Sequence, residues 1–441
     1  MSNSVNINNK IDNFNLSIVM PGDKSISIRW VLLSSQAIGI SKAENLLESE
    51  DVINSIKCMR ALGVEIKKVK NKYITQGVGL NGFSSSRKVT LDAGNSGTLA
   101  RLICGLVARH NKTMKLVGDI SLSKRDFSRV IKPLKKFGVL FKSNNNKLPL
   151  IIRGNEYLRP ITYNETKGSA QVKTALMLAS LNTPGTTIVK SIPSRDHTEL
   201  MFKNCLKIPI NISKKKHHVI KVKGLNAYKG FDYKIPGDIS SASFFIVLTL
   251  LAKKSKLIIK NINVNKSRIG VIEILKKMNG KVNLINKKKY KGEEIADILI
   301  RSTNNLKSIN CPKHLNTKAI DEFLVIFLAC AKARGVSRFK GIQELRQKES
   351  DRLKIASNFL RMIGVRIEEK FDSLKIYGNP KLELHNKYIV KKYLKDHRVF
   401  MMSCIAALTL GGNFLINDKN SIKTSFPNFI SLLKKLGAKI S

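Results

Sequence analysis

The basic residues of this chain that sit beside small polar partners fall into short phrases: KSISIR (24–29), NSGT (95–98), SKR (123–125), SAQVK (169–173), SRDH (194–197) and ELRQKESDR (344–352). Each is chemically a way to hold an anion. Lys or Arg supplies charge, Ser and Thr supply hydroxyl donors, and a phrase that opens a helix adds backbone N–H groups at the positive end of the helix dipole. None is a P-loop, because GxxxxGK[ST] is absent. Pieces spread from residue 24 to residue 352 form one site only if the chain folds them into a cleft, and such a cleft normally lies between domains. The acidic residues are less telling. Asp321 and Glu322 read as helix N-terminal acids, and Glu349 as part of an alternating charge run on a helix surface. His197 and His397 follow aspartates and read as hydrogen-bonded structural groups. The six cysteines stand singly, with no CxxC and no Cys/His cluster, so neither a disulfide framework nor a metal site is expected, and the thiols read as buried in a reducing compartment.

The elements that must position these phrases show a repeat. The end of an amphipathic helix running into a strand recurs as MRALGV (59–64), LKKFGV (134–139), LKKMNG (275–280), LRMIGV (360–365) and LKKLGA (433–438), with a degraded copy at NCLK (204–207). Apolar residues three apart, cations in the last turn and then Gly or Asn make a helix stop with a left-handed cap. The period of about 70 is too long for a solenoid and fits a unit of several strands and two helices, so six units predict two domains of three. β-rich runs at 115–117, 150–153, 186–189, 256–259 and 297–300 complete an α/β reading. The turns PGDKS (21–25) and PGDIS (236–240) bracket three units and mark where the chain crosses between domains. The expected division is 1–22 plus 240–441 as one domain and 23–239 as the domain inserted in it.

Composition adds an anomaly. Of 441 residues 79 are Lys or Arg and 31 are Asp or Glu, a formal net charge of +48. Such a surplus raises nucleic acid or another anionic partner. However, no Arg occurs between Arg195 and Arg268, a stretch full of Lys, Asn and Ile, which reads as compositional drift. The Lys runs at 214–223 and 287–291 also lack the interleaved aromatics of a nucleic-acid surface, beyond Tyr290. No apolar run approaches the roughly 20 residues of a membrane span, and no secretory or transit segment is evident, so a cytoplasmic protein is expected.

Ten phrases in order resemble the 3-phosphoshikimate 1-carboxyvinyltransferase (EPSP synthase) family: PGDKSISIR (21–29), LDAGNSGTLARL (91–102), GDISLSKRD (118–126), GSAQVKTALMLASL (168–181), SRDHTE (194–199), PGDISSASFF (236–245), IDEF (320–323), ELRQKESDRL (344–353), DHRVFMMS (396–403) and TSFPNF (424–429). The resemblance implies an enolpyruvyl transferase fold of two similar α/β domains, each of three βαβαββ units, with the active site in the interdomain cleft. It implies transfer of the enolpyruvyl group of phosphoenolpyruvate to the 5-hydroxyl of shikimate 3-phosphate. By the same resemblance Lys24 touches both substrates; Ser25, Arg29, Ser169, Ala170, Gln171 and Arg195 bind shikimate 3-phosphate; and Gly97, Arg125, Arg352 and Arg398 hold phosphoenolpyruvate, which Gln171 also reaches. Asp321 is implied as proton acceptor for the 5-hydroxyl and Lys348 as a contact at the substrate junction. Glu349 is implied as the group that moves a proton at the methylene carbon. No metal or cofactor is implied. The expected partners are these two small molecules, with no nucleic acid and no membrane, for a monomeric protein.

Three positions depart from the family pattern: Ile28 replaces a usual His, Asp126 a usual Pro, and Thr424 a Lys that some branches carry, while Lys423 beside it would face away on an extended segment. Gly97 lacks the methyl group of glyphosate-tolerant relatives, so a glyphosate-sensitive enzyme is expected. The rival within the fold is UDP-N-acetylglucosamine enolpyruvyl transferase, whose reactive loop Cys is not matched by Cys104 in its apolar helix. The rival outside it is a basic nucleic-acid-binding protein. Seven cations, Lys24, Arg29, Arg125, Arg195, Lys348, Arg352 and Arg398, thus have an assigned anion; the other 72 of the 79 mostly follow the lysine drift, and most of the surface lysine is expected to be replaceable.

Overall fold

The computed structural model describes residues 3–85, 88–214, 217–391, 393 and 396–441. It divides into two compact units, one of Met1–Pro21, Pro236–Lys289 and Glu294–Ser441, the other of Gly22–Ile235 with Tyr290–Glu293. The crossings differ by a few residues from the sequence-based limits of 22 and 239, and hydrogen bonds say why. The Ile235 N–H donates to the Glu44 carbonyl of its own unit at 3.0 Å, whereas the Gly237 N–H already donates to Asn261 of the other at 2.8 Å. The helix start that the sequence placed at the boundary therefore belongs wholly to the later unit. Residues 290–293, the turn between strands Val282–Tyr290 and Glu293–Arg301, group with the inserted unit.

Each unit has three small sheets. In the Gly22–Ile235 unit the sheet Lys88–Asp92, Thr113–Val117, Leu150–Arg153 and Leu140–Lys142 shows the pattern. Its first two strands are parallel, with helix Gly97–Leu106 as the crossover, and the other pairings are antiparallel. Strands Thr162–Glu165, Thr186–Ser191, His218–Lys223 and Ile210–Lys214 repeat it around helix Ala170–Leu181. In the other unit two sheets have three named strands. At strand Gly335–Lys340 the fourth is reduced to parallel bridges from Lys307 to Arg334 and from Asn310 to Arg338.

Two kinds of helix alternate along the chain. Six are buried on nearly all sides: Lys24–Ser35, Gly97–Leu106, Ala170–Leu181, Ile239–Leu251, Phe323–Ala331 and His397–Leu410. Three of these pack together in the core of each unit. Another six, apart from the short turns Ile120–Ser123 and Asn316–Ala319, are one-sided: Glu50–Ala61, Ser128–Phe137, His197–Asn204, Gly270–Lys277, Arg352–Met362 and Phe429–Lys435. Shortly beyond them lie Gly63, Gly138, Lys207, Asn279, Gly364 and Gly437, all at positive φ. Lys207, the degraded copy, takes φ +56°, a conformation that disfavours a side chain. The repeat thus outlives the loss of its capping residue. Trp30 and the Phe244–Phe245 pair lie in the cores, the latter against Phe426 and Phe429.

Candidate active site

While Arg125 and Arg195 in one unit, and Lys348, Glu349 and Arg352 in the other, come from connections or from the start of a one-sided helix, many of the site residues lie at the N-terminal turns of the buried helices. In the Gly22–Ile235 unit, Asp23 caps the first by accepting the Ile26 N–H at 2.9 Å, which presents Lys24 and Ser25 at the helix start. Lys24 Nζ lies 2.9 Å from Asp51 Oδ2, in the first turn of the next helix, and keeps 18% of its side chain exposed. One turn further on, Arg29 is almost fully buried. Its Nε donates to Thr198 Oγ1 at 2.8 Å, one terminal nitrogen to Thr174 Oγ1 at 3.1 Å and the other to the Ser25 carbonyl at 2.9 Å.

The second buried helix opens at Gly97, with Ser96 as cap. A Cβ built on Gly97 would lie 2.8 Å from a terminal nitrogen of both Arg101 and Arg125, so two guanidinium groups converge on this turn. Arg101, which sequence reasoning passed over inside an apolar run, donates to the Gly97 carbonyl at 3.0 Å and to Gln171 Oε1 at 3.2 Å. Because Oε1 accepts there, the Gln171 amide nitrogen is left to donate to Thr98 Oγ1 at 3.0 Å. The third helix is capped by Ser169, followed by Ala170 and Gln171, and the preceding turn is pinned by Glu165, which accepts the Lys167 and Ser169 N–H groups at 3.0 and 2.9 Å. Arg195, half-buried, precedes helix His197–Asn204, and its neighbour His197 lies with Nδ1 2.6 Å from buried Glu293. His397 Nδ1 pairs with the Thr424 hydroxyl at 3.2 Å.

In the other unit, Asp321 and Glu322 immediately precede helix Phe323–Ala331. Asp321 Oδ1 stands 3.7 Å from Lys348 Nζ and 3.6 Å from Arg352, and its carbonyl accepts from Arg398 at 2.6 Å. Arg352, 1% exposed, also meets Glu349 at 2.5 Å and Asp396 at 2.9 Å. Burial pushes the Arg352 guanidinium down, but the charges of Asp396, Glu349 and Asp321 outweigh it and hold the group above its ordinary value. Asp396 is the cap of helix His397–Leu410, accepting the Arg398 N–H at 3.0 Å and the Ser350 hydroxyl at 2.8 Å. All five expected residues of this unit, Asp321, Lys348, Glu349, Arg352 and Arg398, are thus brought together.

Not every basic residue in the phrases is available to a ligand. Lys173 is fully buried with Nζ 2.6 Å from Glu199, and Arg346 is taken up by Asp351 and Glu369 at 2.9 and 2.8 Å. Thr424 lies in a 3₁₀ turn, Lys419–Thr424, and not on an extended segment; Lys423 is exposed there. Ile28 is wholly within the apolar core, where it adds to packing. Asp126, just before the helix cap Phe127, accepts from the Ser128 N–H at 2.9 Å in a local turn leading into helix Ser128–Phe137. Cys104 is fully buried, and desolvation pushes its thiol up to about 12, which removes the thiolate a reactive Cys requires.

A model of the EPSP synthase (3-phosphoshikimate 1-carboxyvinyltransferase) family matches residues 9–433. The 3-phosphoshikimate 1-carboxyvinyltransferase of Ruthia magnifica is 41% identical over 423 residues, 96% of this chain and 95% of that protein. That of Zymomonas mobilis is 40% identical, covering 95% and 93%. Among solved structures, an EPSP synthase from Acinetobacter baumannii matches 99% of both chains with a TM-score of 0.86 and 32% identity. The enolpyruvyl transferase NikO from Streptomyces tendae matches with a TM-score of 0.77 at 15% identity, a likeness of fold alone.

Proposed function

The chain belongs to the EPSP synthase family, and from that premise we propose that it transfers the 1-carboxyvinyl group of phosphoenolpyruvate to the 5-hydroxyl of shikimate 3-phosphate, releasing phosphate, with its two residue clusters in different roles. The observation that carries the assignment is that the family's matched residues gather at or beside helix starts in both units, one group cationic and the other pairing carboxylates with cations.

The cluster of Lys24, Ser25, Arg29, Ser169, Ala170, Gln171 and Arg195 suits shikimate 3-phosphate. Hydroxyls and amide groups match the sugar-like ring, and Lys24, Arg29 and Arg195 match the phosphate. Gly97 and Arg125, with Arg352 and Arg398, suit phosphoenolpyruvate, whose carboxylate and phosphate fit planar guanidinium forks. Asp321 takes the proton of the 5-hydroxyl as that oxygen bonds to C2 of phosphoenolpyruvate. Glu349 gives a proton to the methylene carbon and takes one back from the resulting methyl group as the C2–O bond to phosphate breaks, and the proton held by Asp321 leaves with the released phosphate. Lys24 and Lys348 steady the charge that shifts between these atoms. Asp321 meets both Lys348 and Arg352 at more than 3.5 Å, outside hydrogen-bond distance, so neither cation's hydrogen bond competes with a substrate hydroxyl for that oxygen.

The test is phosphate release with both substrates, in the parent and in Asp321→Asn and Glu349→Gln. Each variant should lose about 10²- to 10⁴-fold in kcat with little change in KM. Full activity in both would overturn the roles given to these residues, and an inactive parent would overturn the reaction.

A further inference from the structure

Glu322 has no part in these roles, yet it is a fully buried carboxylate beside two residues that do. Its Oε1 accepts a hydrogen bond from the Ser240 hydroxyl and lies 3.9 Å from a terminal nitrogen of Arg398. The same Arg398 nitrogen donates to the carbonyl of Asp321. Behind Ser240 stands Arg268, 1% exposed, which donates to the Ser240 hydroxyl oxygen at 2.8 Å and to Asp238 Oδ1 at 3.3 Å. Asp238 Oδ1 in turn accepts the Ser240 N–H at 2.7 Å.

The directions in this chain are fixed. A hydroxyl has one proton, so Ser240, given to Glu322, can only accept from Arg268. Two guanidinium groups and two carboxylates alternate along the path, Asp238, Arg268, Glu322 and Arg398, which lets each charge stay ionised out of water. Stability alone does not call for such an arrangement, because well-packed apolar residues of the same volume serve as well or better. What it achieves is orientation. A guanidinium is a planar fork, and held on one side by a carbonyl and a carboxylate it presents its remaining N–H groups in one plane.

We infer that Glu322 is a positioning residue: it fixes the plane of Arg398 toward phosphoenolpyruvate, and is itself held by Ser240 and Arg268. The inference rests on the reading that Arg398 contacts phosphoenolpyruvate. Glu322→Gln keeps the acceptor for Ser240 and removes the charge facing Arg398. A loosened fork should raise KM for phosphoenolpyruvate by about 10-fold or more while KM for shikimate 3-phosphate stays within about two-fold. Ser240→Ala should act in the same direction and more weakly, and the double variant should be no worse than Glu322→Gln alone, because the two residues act along one path.

A purely structural role predicts something else: lower melting temperature, with both KM values unchanged or moving together, and that result would overturn the inference. If Glu322→Gln does not fold, Ser240→Ala decides, and an unchanged ratio of the two KM values there is fatal. Arg398→Lys is measured in parallel. If it leaves KM for phosphoenolpyruvate unchanged, the role of Arg398 fails. If it raises that KM while Glu322→Gln does not, only the positioning inference fails.

Discussion

The two units build their sites around the same device, the start of a buried helix, and balance its charge differently. In the Gly22–Ile235 unit only the first of the three helices is capped by an acid, Asp23, the others by Ser96 and Ser169, and the side chains just beyond the caps include Lys24, Ser25, Thr98 and Gln171. Arg29, Arg101, Arg125 and Arg195 stand nearby, against the carboxylates of Asp51 and the capping Asp23. In the other unit the helix starts carry Asp238, Asp321 with Glu322, and Asp396, and each is answered by a buried arginine, Arg268, Arg398 or Arg352. A helix start with surplus cations leaves a positive field for anionic ligands to fill. A helix start with its own carboxylates has its field satisfied in advance, so its arginines are held still by the protein. One unit stores charge for substrate, the other stores geometry.

That contrast is easiest to break at Arg352. It is the only partner within reach of three carboxylates given above, and Arg352→Met would leave Asp396 and its neighbours as uncompensated buried charge. Stability should fall by about 3–5 kcal/mol, as for other broken buried pairs, and activity by three orders of magnitude or more. Thermal melting and phosphate release read the two effects. An active, equally stable variant would mean that this unit does not depend on balanced charge.

The inserted unit offers a matched case without catalysis. Lys173→Met, which strips Glu199 of its buried partner, should cost about as much stability as Arg352→Met, yet Lys173→Met combined with Glu199→Leu should recover most of it. Activity per folded molecule should survive in the double variant. If it is lost, Lys173 belongs to the site after all.

Gly97→Ala sharpens the other side of the comparison. The added methyl would press on the far ends of Arg101 and Arg125, at 2.8 Å, and these flexible groups must move by a few tenths of an ångström. KM for phosphoenolpyruvate should rise by about three- to ten-fold, while stability stays within about 1 kcal/mol, because Ala is readily accepted at the first position of a helix. A large loss of stability with unchanged KM would show that the two guanidinium groups are not poised on this turn.

What the sequence reveals of all this follows from the range of each interaction. The six helix stops are local, set by apolar spacing and a residue that tolerates positive φ, and all are present, even at Lys207. The strand runs and the anion-binding phrases are local too, and they carry the family motifs. Partnerships are not local. Lys173 reads as an anion ligand until Glu199, 26 residues on, takes it, and Arg346 likewise until Glu369 does. Arg101 is masked by the apolar run around it, although its position four residues after Gly97, one helical turn, was a usable signal. Arg268 carried another: it is the first arginine after a long stretch in which every cation is Lys, and a guanidinium retained there argues for a fixed geometric task. Glu322 had none, since an acid at a helix start serves the dipole whether or not it serves anything else.

The smallest effect is expected at His218, on the lysine-rich strand His218–Lys223 of the inserted unit. Burial lowers its pKa from the ordinary value, Lys173 and Lys214 add to that, and Glu199 and Asp196 partly oppose it. The unfolded chain, with an imidazole near 6.5, therefore binds the proton more readily than the folded one. Stability is intact above that value and is lost as pH falls through it toward the folded pKa. His218→Gln should match the parent at pH 8 and melt about 1–2 °C higher at pH 5, a small shift because the ring is only partly buried. Added salt separates the causes. It screens the partly exposed Lys214 and leaves burial untouched, so most of the difference should persist in high salt. If salt abolishes it, the surplus charge of this unit, and not its packing, sets the histidine, and the filler lysines would then bear on the stability of the unit that stores charge for substrate.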